Sequence, residues 1–485
     1  MMKKTWFRLT SNVRWLHSSS KSERIVTIVN EHPYPRQSLL PTLRREIRKT
    51  EISTSLVEEV LGGFFGTHGN GLKAYEFFRY CLDHGDVYVP TSDAVEKTLH
   101  ILSRMRYFDK AWELMDRIRR THPSCLTLKS MSIVLSRIAK FRSYEETLEA
   151  FERMRRDVFT GKTFTTDEFN VLLRAFCTQR QMKEAKSVMS KMHSRFPPNA
   201  KTMNILLSGF KESGDIAAVE LFHHEMVRRG FKPNVVTYHV RIDAYCKRHR
   251  FGSALRLAEE MESSGFPPSL QTITTLIHGA GLVRNAAKAR ELFDEIEARS
   301  LVADTKAYNA LMSSLIRSRD VRSAAELMDQ MEERNIQPDN MTYHVMFLGI
   351  MRSPDGGIDG VTELYEKMVG KSFVPKTRTA VMLMKFFCES DRVETGLDLW
   401  NYMMDRGHCV HIHALDLLVT GLCARGRVAE SFACSKQALE RGRLVSDRTF
   451  ETLQRVLEAD KLEEMAASMK KLKAVLPPSL VSLRL

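Results

Sequence analysis

The sequence has few of the residues that mark disulfide-bonded, membrane-spanning or nucleotide-hydrolysing proteins. Eight cysteines occur among 485 residues without any C-x-x-C spacing, so we interpret all eight as free thiols in a reducing compartment. No uninterrupted apolar run approaches the roughly 18 residues that are needed to span a bilayer. No G-x-x-x-x-G-K-[ST] phosphate loop is present either. These absences predict a protein without a disulfide framework, a membrane span or a nucleotide-phosphate site.

Acidic residues are missing from the N-terminus, where the first is Glu23. Basic residues and three consecutive serines precede it, and a helix formed there would have an apolar face of Trp6, Phe7, Leu9, Val13, Trp15 and Leu16. A basic, amphipathic, acid-free segment is typical of an organelle transit peptide, whereas a secretory signal needs a longer apolar core. We predict a transit peptide over residues 1–22, mitochondrial rather than chloroplast in type, with a disordered basic tail as the alternative. Three prolines predict a linker over residues 23–54.

Positive charge is in excess, with 73 Lys and Arg residues against 59 Asp and Glu residues and a net charge of +14. An excess of this size favours an anionic partner such as nucleic acid. A charge that serves solubility or organelle import is the alternative, and charge alone does not distinguish the two.

A repeat of 35 residues runs without insertion through four blocks, Ala200–Asn234, Val235–Ser269, Leu270–Asp304 and Thr305–Asp339. Positions 4, 8 and 11 of the blocks carry apolar or aromatic side chains, which places them on one face of a first helix. Positions 20, 23 and 27 form the apolar face of a second helix. Gly230 and Gly265 follow that helix, where a left-handed residue commonly ends a helix. Proline residues Pro233, Pro268 and Pro338 then prevent its continuation.

Each block is therefore a helix–turn–helix hairpin, which can bury its apolar face only by stacking on its neighbours. The predicted fold is all-α, a right-handed α-solenoid of about 10–11 such repeats. The pattern extends over residues 55–446 and is least regular at its N-terminal end. The predicted repeats are 55–91, 92–127, 128–165, 166–199, 200–234, 235–269, 270–304, 305–339, 340–376, 377–411 and 412–446, followed by a partial repeat and a C-terminal capping helix over 447–485.

Two blocks carry a family pattern most clearly. The first contains Asn234-Val-Val-Thr-Tyr238, Cys246-Lys247, Glu260-Met261-Glu262 and Gly265-Phe266-Pro267-Pro268, and the second contains Ala307-Tyr308-Asn309-Ala310-Leu311, Gln330-Met331-Glu332 and Ile336-Gln337-Pro338-Asp339. The pattern resembles pentatricopeptide repeats, a family of helical-hairpin proteins that bind RNA in organelles and are abundant in plants. The chain is identified as a P-class member of the mitochondrial type. Tetratricopeptide repeats run at about 34 residues with a Trp-Leu-Gly-Tyr signature that is absent here.

The resemblance implies that single-stranded organelle RNA is the partner and that position five and the final position of each repeat contact one base. Asn and Asp differ in their hydrogen-bond donors and acceptors, so such pairs can discriminate between bases. The implied base-recognition pairs are Asn170 with Asn199, Asn204 with Asn234, His239 with Ser269, Thr274 with Asp304, and Asn309 with Asp339. By the family's code these pairs imply, from 5′ to 3′, pyrimidine, pyrimidine, an unassigned base, G and U. Later pairs are His344 with Lys376, Val381 with His411, and Asp416 with Ser446.

The family pattern is not kept everywhere. Unselective spacer repeats are predicted where position five is unusual, at His239, His344 and Val381. Position two, where the family usually has an aliphatic wedge between bases, is instead basic at Lys201 and Lys306. These two lysines are candidates for contacts with the RNA backbone, and plain solvation of both side chains is the alternative.

No catalytic residue, cofactor or metal site is predicted. The segment His408–His413 contains four histidine or cysteine residues but lacks a second ligand cluster, and His223-His224-Glu225 has the H-x-E spacing of zinc deaminases without their P-C-x-x-C. The 39 residues after Ser446 are too few for the catalytic domains that some relatives append. We expect a non-enzymatic protein that acts in organelle transcript stabilisation, processing, splicing or translation, together with other RNA-processing proteins and without a small-molecule substrate. The alternative is a helical protein-interaction scaffold in an organelle RNA-processing or ribosome-associated complex.

Overall fold

A computed structural model describes residues 20–474, except for residue 36 and residues 67–69, 86–87, 354–356, 409–410, 441–444 and 460–461. Residues 1–19, which make up most of the predicted transit peptide, lie outside the described residues, as does the chain from residue 475 onward. Within the described ranges the chain forms helices and turns and no β-strand. None of the helices described is both long enough and apolar enough to cross a membrane.

The described residues contain twenty-six α-helices. Their bounds are Lys21–Glu31 (α1), Leu40–Glu46 (α2), Thr54–Gly66 (α3), Gly71–His84 (α4), Ser92–Arg104 (α5), Phe108–Thr121 (α6), Leu128–Phe141 (α7), Tyr144–Arg153 (α8), Thr166–Thr178 (α9), Met182–Met192 (α10), Ala200–Ser213 (α11), Ile216–Arg228 (α12), Val235–Lys247 (α13), Phe251–Ser263 (α14), Leu270–Leu282 (α15), Ala286–Ala298 (α16), Thr305–Arg317 (α17), Val321–Glu333 (α18), Asn340–Ile350 (α19), Gly357–Gly370 (α20), Thr377–Glu389 (α21), Val393–Asp405 (α22), Ile412–Cys423 (α23), Val428–Glu440 (α24), Asp447–Ala459 (α25) and Glu463–Ala474 (α26). Helix α8 continues into a turn of π-helix over Met154–Val158.

From α3 onward the helices follow one another as pairs of a first helix and a second helix, and from α9 to α18 a short turn joins the two helices of each pair. Successive first helices pack directly on each other, α9 on α11, α11 on α13, α13 on α15, α15 on α17 and α17 on α19. Each second helix in this run packs on its own first helix. The predicted all-α helical-repeat fold is therefore confirmed, and the first helices of this run, α9 to α19, form a continuous layer.

The chain divides into two compact units, and the division falls within α7 and before α21. One unit comprises residues 135–376, and the other comprises the residues before and after that range. The first unit contains the regular repeats and all ten of the base-recognition residues that the resemblance implies.

The predicted linker over residues 23–54 is wrong, because this segment contains most of α1 and all of α2. Ile25 and Val29 are buried where α1 packs on α3, and a capping box of Ser20 and Glu23 fixes the start of α1. Pro41, which suggested a linker, lies in the first turn of α2, where a missing backbone N–H breaks no helical hydrogen bond.

Both turns of the repeat contain a residue in the left-handed conformation. After the second helix, this residue is Gly230 (φ 84°), Gly265 (φ 83°), Ser300 (φ 58°) and Asn335 (φ 58°) in successive repeats, which confirms the two predicted glycine stops. After the first helix, it is Arg180 (φ 61°), Gly214 (φ 74°), His249 (φ 58°), Arg284 (φ 58°) and Arg319 (φ 66°). The left-handed conformation costs residues other than glycine about 1–2 kcal/mol, so glycine or asparagine is the expected choice at each site.

Position twelve of the repeat packs against position ten of the next repeat. Cys246 is buried, and a Cβ added at Gly279 would lie 2.9 Å from the Cys246 Cβ. Cys177 and Gly209 make the same contact one repeat earlier. Burial raises the pKa of Cys246 to about 12, so its thiol stays protonated and acts as a small apolar group. The seven cysteines described are free thiols, whereas Cys409 lies outside the described residues.

Gly279→Ala is expected to destabilise the protein, because the new methyl group would overlap Cys246 and overpacking typically costs about 1–3 kcal/mol. The thermal unfolding midpoint and the hydrogen-exchange protection of α13 and α15 measure the effect. Gly252→Ala in α14 is the matched control, since a Cβ there meets nothing within 4 Å and alanine favours a helix by up to about 1 kcal/mol. Adding Cys246→Ala should recover part of the lost stability, because it removes the Sγ atom but keeps the Cβ atom at 2.9 Å. Equal behaviour of the two alanine variants would contradict this packing.

Candidate nucleic-acid interface

The final residue of each regular repeat is the N-cap of the next first helix. Asn234 Oδ1 accepts hydrogen bonds from the backbone N–H groups of Val236 at 3.0 Å and Thr237 at 3.1 Å, at the start of α13. Asp339 Oδ1 accepts the equivalent bonds at the start of α19, from Met341 at 2.8 Å and Thr342 at 2.9 Å. Asn, Asp and Ser satisfy the otherwise unpaired N–H groups of a first helical turn. Asn199, Ser269 and Asp304 cap α11, α15 and α17 in the same way.

Two of the implied pairs are joined by a direct hydrogen bond. Asn204 Nδ2 donates to Asn234 Oδ1 at 3.2 Å, and Asn309 Nδ2 donates to Asp339 Oδ1 at 3.1 Å. Position three of the next repeat closes each cluster, because a threonine hydroxyl there donates to the Oδ1 atom of the position-five asparagine. The distances are 2.9 Å from Thr237 to Asn204 and 2.8 Å from Thr342 to Asn309. Ser446 Oγ makes a comparable contact of 2.9 Å with Asp416 Oδ1.

The two clusters share their geometry but differ in the chemistry that they leave available. The Oδ1 atom of the final residue is occupied in both, whereas no hydrogen bond within the described residues engages the second polar atom. That atom is the Nδ2 amide donor of Asn234 in one cluster and the Oδ2 carboxylate acceptor of Asp339 in the other. Replacing the amide by a carboxylate thus changes the free atom from a donor into an acceptor, while the hydrogen bonds to the Oδ1 atom stay the same.

Burial separates the two members of a pair. The side chains of Asn204 and Asn309 are only 6% and 7% exposed, whereas Asp339 is exposed and Asn234 is half-buried. The position-five residue therefore orients the final residue from below, and the final residue offers the more accessible polar atom. The burial of Asn204 and Asn309 follows from the close stacking of successive first helices.

Asp339 is held in its ionised form. Burial opposes ionisation, but the backbone N–H of Thr342, the Asn309 amide and the N–H of Met341 together outweigh it and keep the pKa of Asp339 below its usual value. At neutral pH the Asp339 carboxylate can therefore accept hydrogen bonds but cannot donate one. Burial lowers the pKa of His239, so the unusual position-five residue of the third pair is a neutral imidazole under the same conditions.

The other three implied pairs are not directly bonded within the described residues. Asn170 is 2% exposed, and both of its amide atoms lack a partner there, because Asn199 Oδ1 is taken by Thr202. In the pair of Thr274 and Asp304, the next repeat has Ala307 at position three and so lacks the hydroxyl that closes the other clusters. The third of these pairs, His239 with Ser269, also shows no direct bond. The structure thus brings five pairs to one edge of the first-helix layer and joins two of them.

The two lysines predicted to contact an RNA backbone have different surroundings. Lys201 Nζ lies 2.7 Å from Asp167 Oδ1, and both side chains are exposed, so the pair contributes little to stability. Lys306 is exposed and has no acidic partner among the described residues. At the same position of neighbouring repeats, Val236 and Met341 are apolar and about half exposed, at 52% and 51%.

Sequence reasoning missed a cationic feature on the first helices. Arg317 is half-buried, its Nη1 atom has no acceptor among the described residues, and burial and the nearby Arg352 lower its pKa. Two guanidinium groups close together without an intervening carboxylate favour an anionic ligand. The contrast is the cluster three repeats earlier, where Lys211 and Lys247 neutralise Asp243 at 2.9 Å and 3.1 Å. A basic residue at position thirteen of both repeats was the signal in the sequence.

The candidate metal segments form no metal centre within the described residues. No group of three or more His, Cys, Asp or Glu side chains there is placed to hold an ion. His411 caps α23 and its ring lies 5.0 Å from that of His413, while Cys409 and Val410 lie outside the described residues. His223 and His224 lie within α12.

Comparison with known proteins establishes the family. A model of the PPR repeat family matches residues 168–212, 198–247, 240–281 and 303–352. Pentatricopeptide repeat-containing protein At3g61360 of Arabidopsis thaliana is 55% identical over 465 residues, which are 95% of this chain and 93% of that protein. The chain belongs to the pentatricopeptide repeat family.

Other relatives match smaller parts of this pentatricopeptide repeat protein. The Arabidopsis thaliana protein At3g22670, whose name describes it as mitochondrial, is 31% identical over 170 residues, which are 34% of this chain and 29% of that protein. Among solved structures, the maize pentatricopeptide repeat protein PPR10 is 16% identical, with 95% of this chain and 84% of that chain covered and a TM-score of 0.32.

Asp339→Ala is expected to lower the local free energy of unfolding at the start of α19 by about 1 kcal/mol, because it removes the N-cap. Amide hydrogen exchange of Met341 and Thr342 measures this loss. Asp339→Asn is the control, since its Oδ1 atom can accept the same three hydrogen bonds. Any excess stability of the wild type over Asp339→Asn should be present above about pH 4 and lost as the pH falls through the lowered pKa of Asp339. Normal protection in Asp339→Ala would contradict the capping role.

Proposed function

We propose that this pentatricopeptide repeat protein is a P-class member that binds single-stranded RNA sequence-specifically, one base per repeat, inside mitochondria. It acts by binding rather than by catalysis, in the stabilisation, processing, splicing or translation of organelle transcripts. The observation that carries the proposal is the recurrence of one hydrogen-bonded cluster, Asn204 with Asn234 and Asn309 with Asp339, at a spacing of three repeats. Family membership and the net charge of +14 support it.

The chemistry of the clusters explains how two such similar sites distinguish bases. The free Oδ2 atom of ionised Asp339 can accept a hydrogen bond from the N3–H of uracil, whereas the N3 atom of cytosine is an acceptor and would be repelled. The free Nδ2 atom of Asn234 can instead donate to the acceptors that both pyrimidines present. We therefore assign uracil to the Asn309 and Asp339 repeat and a pyrimidine to the Asn204 and Asn234 repeat.

The full register follows from the order of the repeats. From 5′ to 3′ it is a pyrimidine, a second pyrimidine, an unassigned base opposite His239 and Ser269, G opposite Thr274 and Asp304, and U. A correct pair should be favoured by about 1–3 kcal/mol, by analogy with bidentate base recognition in duplexes. Lys306, which has no acidic partner in the described part of the chain, is assigned to the RNA backbone, as is Lys201 once it leaves Asp167.

Reciprocal substitutions test the base assignment. Asp339→Asn should relax the last base from U toward either pyrimidine, and Asn234→Asp should narrow the second base to U, because each swaps the free donor for an acceptor or the reverse. In-vitro selection from a random single-stranded RNA pool measures both preferences, and the unchanged positions serve as internal controls. Both variants keep their N-caps, so loss of folding would not explain a change. If the selected RNAs show no enriched base at these two positions, the base assignment is wrong. If no RNA is selected at all, the result favours a protein-binding scaffold.

Mitochondrial localisation rests on the basic, acid-free N-terminus and on mitochondrial relatives such as At3g22670. A fluorescent protein fused after residue 54 should enter mitochondria when residues 1–54 precede it. Replacing the basic residues before Glu23 with glutamine should leave the fusion in the cytosol, because import signals need positive charge. Accumulation in chloroplasts would overturn the assignment to mitochondria, and a cytosolic wild-type fusion would overturn the transit peptide.

A further inference from the structure

The first turn of the repeat combines an unfavourable backbone with a repeated choice of side chain. Arg180, Arg284 and Arg319 occupy left-handed sites between first and second helices, at φ values of 61°, 58° and 66°. The same conformation after the second helix is taken by glycine, serine or asparagine in the four regular repeats. Backbone preference therefore does not account for arginine, and a property of its side chain must favour it at the first turn.

Helix capping by positive charge does not explain the difference either. A cation is favourable at the end of any helix, and three of the second helices, α12, α16 and α18, have arginine as their C-cap. Those arginines form ion pairs, such as Arg229 with Glu225 at 2.6 Å and Arg299 with Glu262 at 2.7 Å. The three first-turn arginines are exposed and have no acidic partner among the described residues. They are thus free to bind an anion from outside the chain.

The first turns are stacked on one another, so their side chains form a row. Ser318 Oγ donates to the Arg284 carbonyl oxygen at 3.4 Å, and the His249 ring nitrogen lies 3.2 Å from the Leu282 carbonyl oxygen. Each contact joins the turn of one repeat to that of the next. The row runs along the C-terminal ends of the first helices, whereas the base-recognition pairs lie at their N-terminal ends.

Two repeats have Gly214 and His249 instead of arginine at the left-handed site, and in both a neighbouring arginine lies beside that site. The Arg248 guanidinium lies in the space that a side chain at Gly214 would occupy. Beside His249 lies Arg250, which is exposed and has no acidic partner in the described part of the chain. The five repeats from residue 166 to residue 339 therefore present five unpaired arginines at this edge, one per repeat on average, and repeat 235–269 supplies two of them. We call this set the first-turn arginine row: Arg180, Arg248, Arg250, Arg284 and Arg319.

We propose that the first-turn arginine row binds the phosphodiester backbone of the RNA whose bases meet the recognition pairs, an inference that rests on the proposed function. One cation per repeat matches one phosphate per base. The planar guanidinium group binds phosphate through two parallel hydrogen bonds, which favours arginine over lysine. Ten residues separate position five from the left-handed site, about 15 Å along the helix. A strand can thus lie across the first helices with its bases at one end and its backbone toward the other.

The decisive variant combines Arg180→Gly, Arg284→Gly and Arg319→Gly. Glycine suits the left-handed conformation, so the thermal unfolding midpoint should stay unchanged or rise while three phosphate contacts are lost. The slope of log affinity against log salt should become shallower by about 2, since each neutralised phosphate contributes about 0.7 in single strands. At 0.1 M salt the affinity should fall on the order of a hundredfold. The probe is a fluorescent single-stranded RNA selected on the wild-type protein.

Two control variants separate the position of the charge from its amount. Lys183→Gln, Lys232→Gln and Arg322→Gln together remove three exposed cations from second helices and a second turn, and should leave the salt slope within about 0.5 of wild type. Lysine in place of the three first-turn arginines should keep most of the slope. The base preference of every variant should match the wild type.

A second probe distinguishes phosphate contacts from other RNA contacts. With neutral methylphosphonate linkages across the bound segment, the glycine variant should bind as well as the wild type. Equal affinity and equal salt slope of wild type and glycine variant on natural RNA would overturn this proposal while leaving base recognition intact, and would point to an acidic protein as the ligand of the row. A wild-type protein that binds no RNA would overturn the proposed function together with it.

Discussion

The structure depends on the joint at which the last side chain of one repeat caps the first helix of the next. Asn234 and Asp339 each use a single oxygen atom to accept two backbone N–H groups and the amide of the position-five asparagine. This oxygen atom caps the first turn of a helix, fixes how two successive repeats pack and orients the remaining polar atom of the side chain. In the regular repeats, capping, stacking and recognition therefore constrain the same side chain.

The need to cap a helix limits which residue types suit the final position of a regular repeat. Asn, Asp and Ser are efficient N-caps, and they also differ in the donors and acceptors that they leave free. The position-three threonine completes the cluster, as Thr237 and Thr342 show, and the alanine at Ala307 leaves a cluster open. Since a buried amide without partners is costly, Asn170 marks a joint that is less well satisfied than the others. Repeats with nearly identical backbones can thus differ in how firmly they hold their recognition groups.

The period of 35 residues was sufficient to predict the hairpins, because two apolar stripes agree in all four regular blocks and a glycine or proline stop signal follows the second helix in three of them. The N-terminal helices were missed because prolines suggested a linker, although Pro41 begins α2. The sequence also gave no reason to expect that Asn204 and Asn309 would be buried, since burial arises from the neighbouring repeat. The left-handed sites at Arg284 and Arg319 escaped notice because only the backbone distinguishes them from ordinary surface arginines.

The placement of charge matters more here than its total. Several cations of the second helices are paired with acidic residues of the same or a neighbouring repeat, as Arg299 is with Glu295 and Glu262, whereas Lys183 and Arg322 have no acidic partner among the described residues. The cations of the first-turn arginine row and Arg317 have no acidic partner within the described residues and lie on the layer that carries the capping joints. A polyanion that approaches this layer would therefore meet uncompensated positive charge on the same helices that carry the recognition pairs.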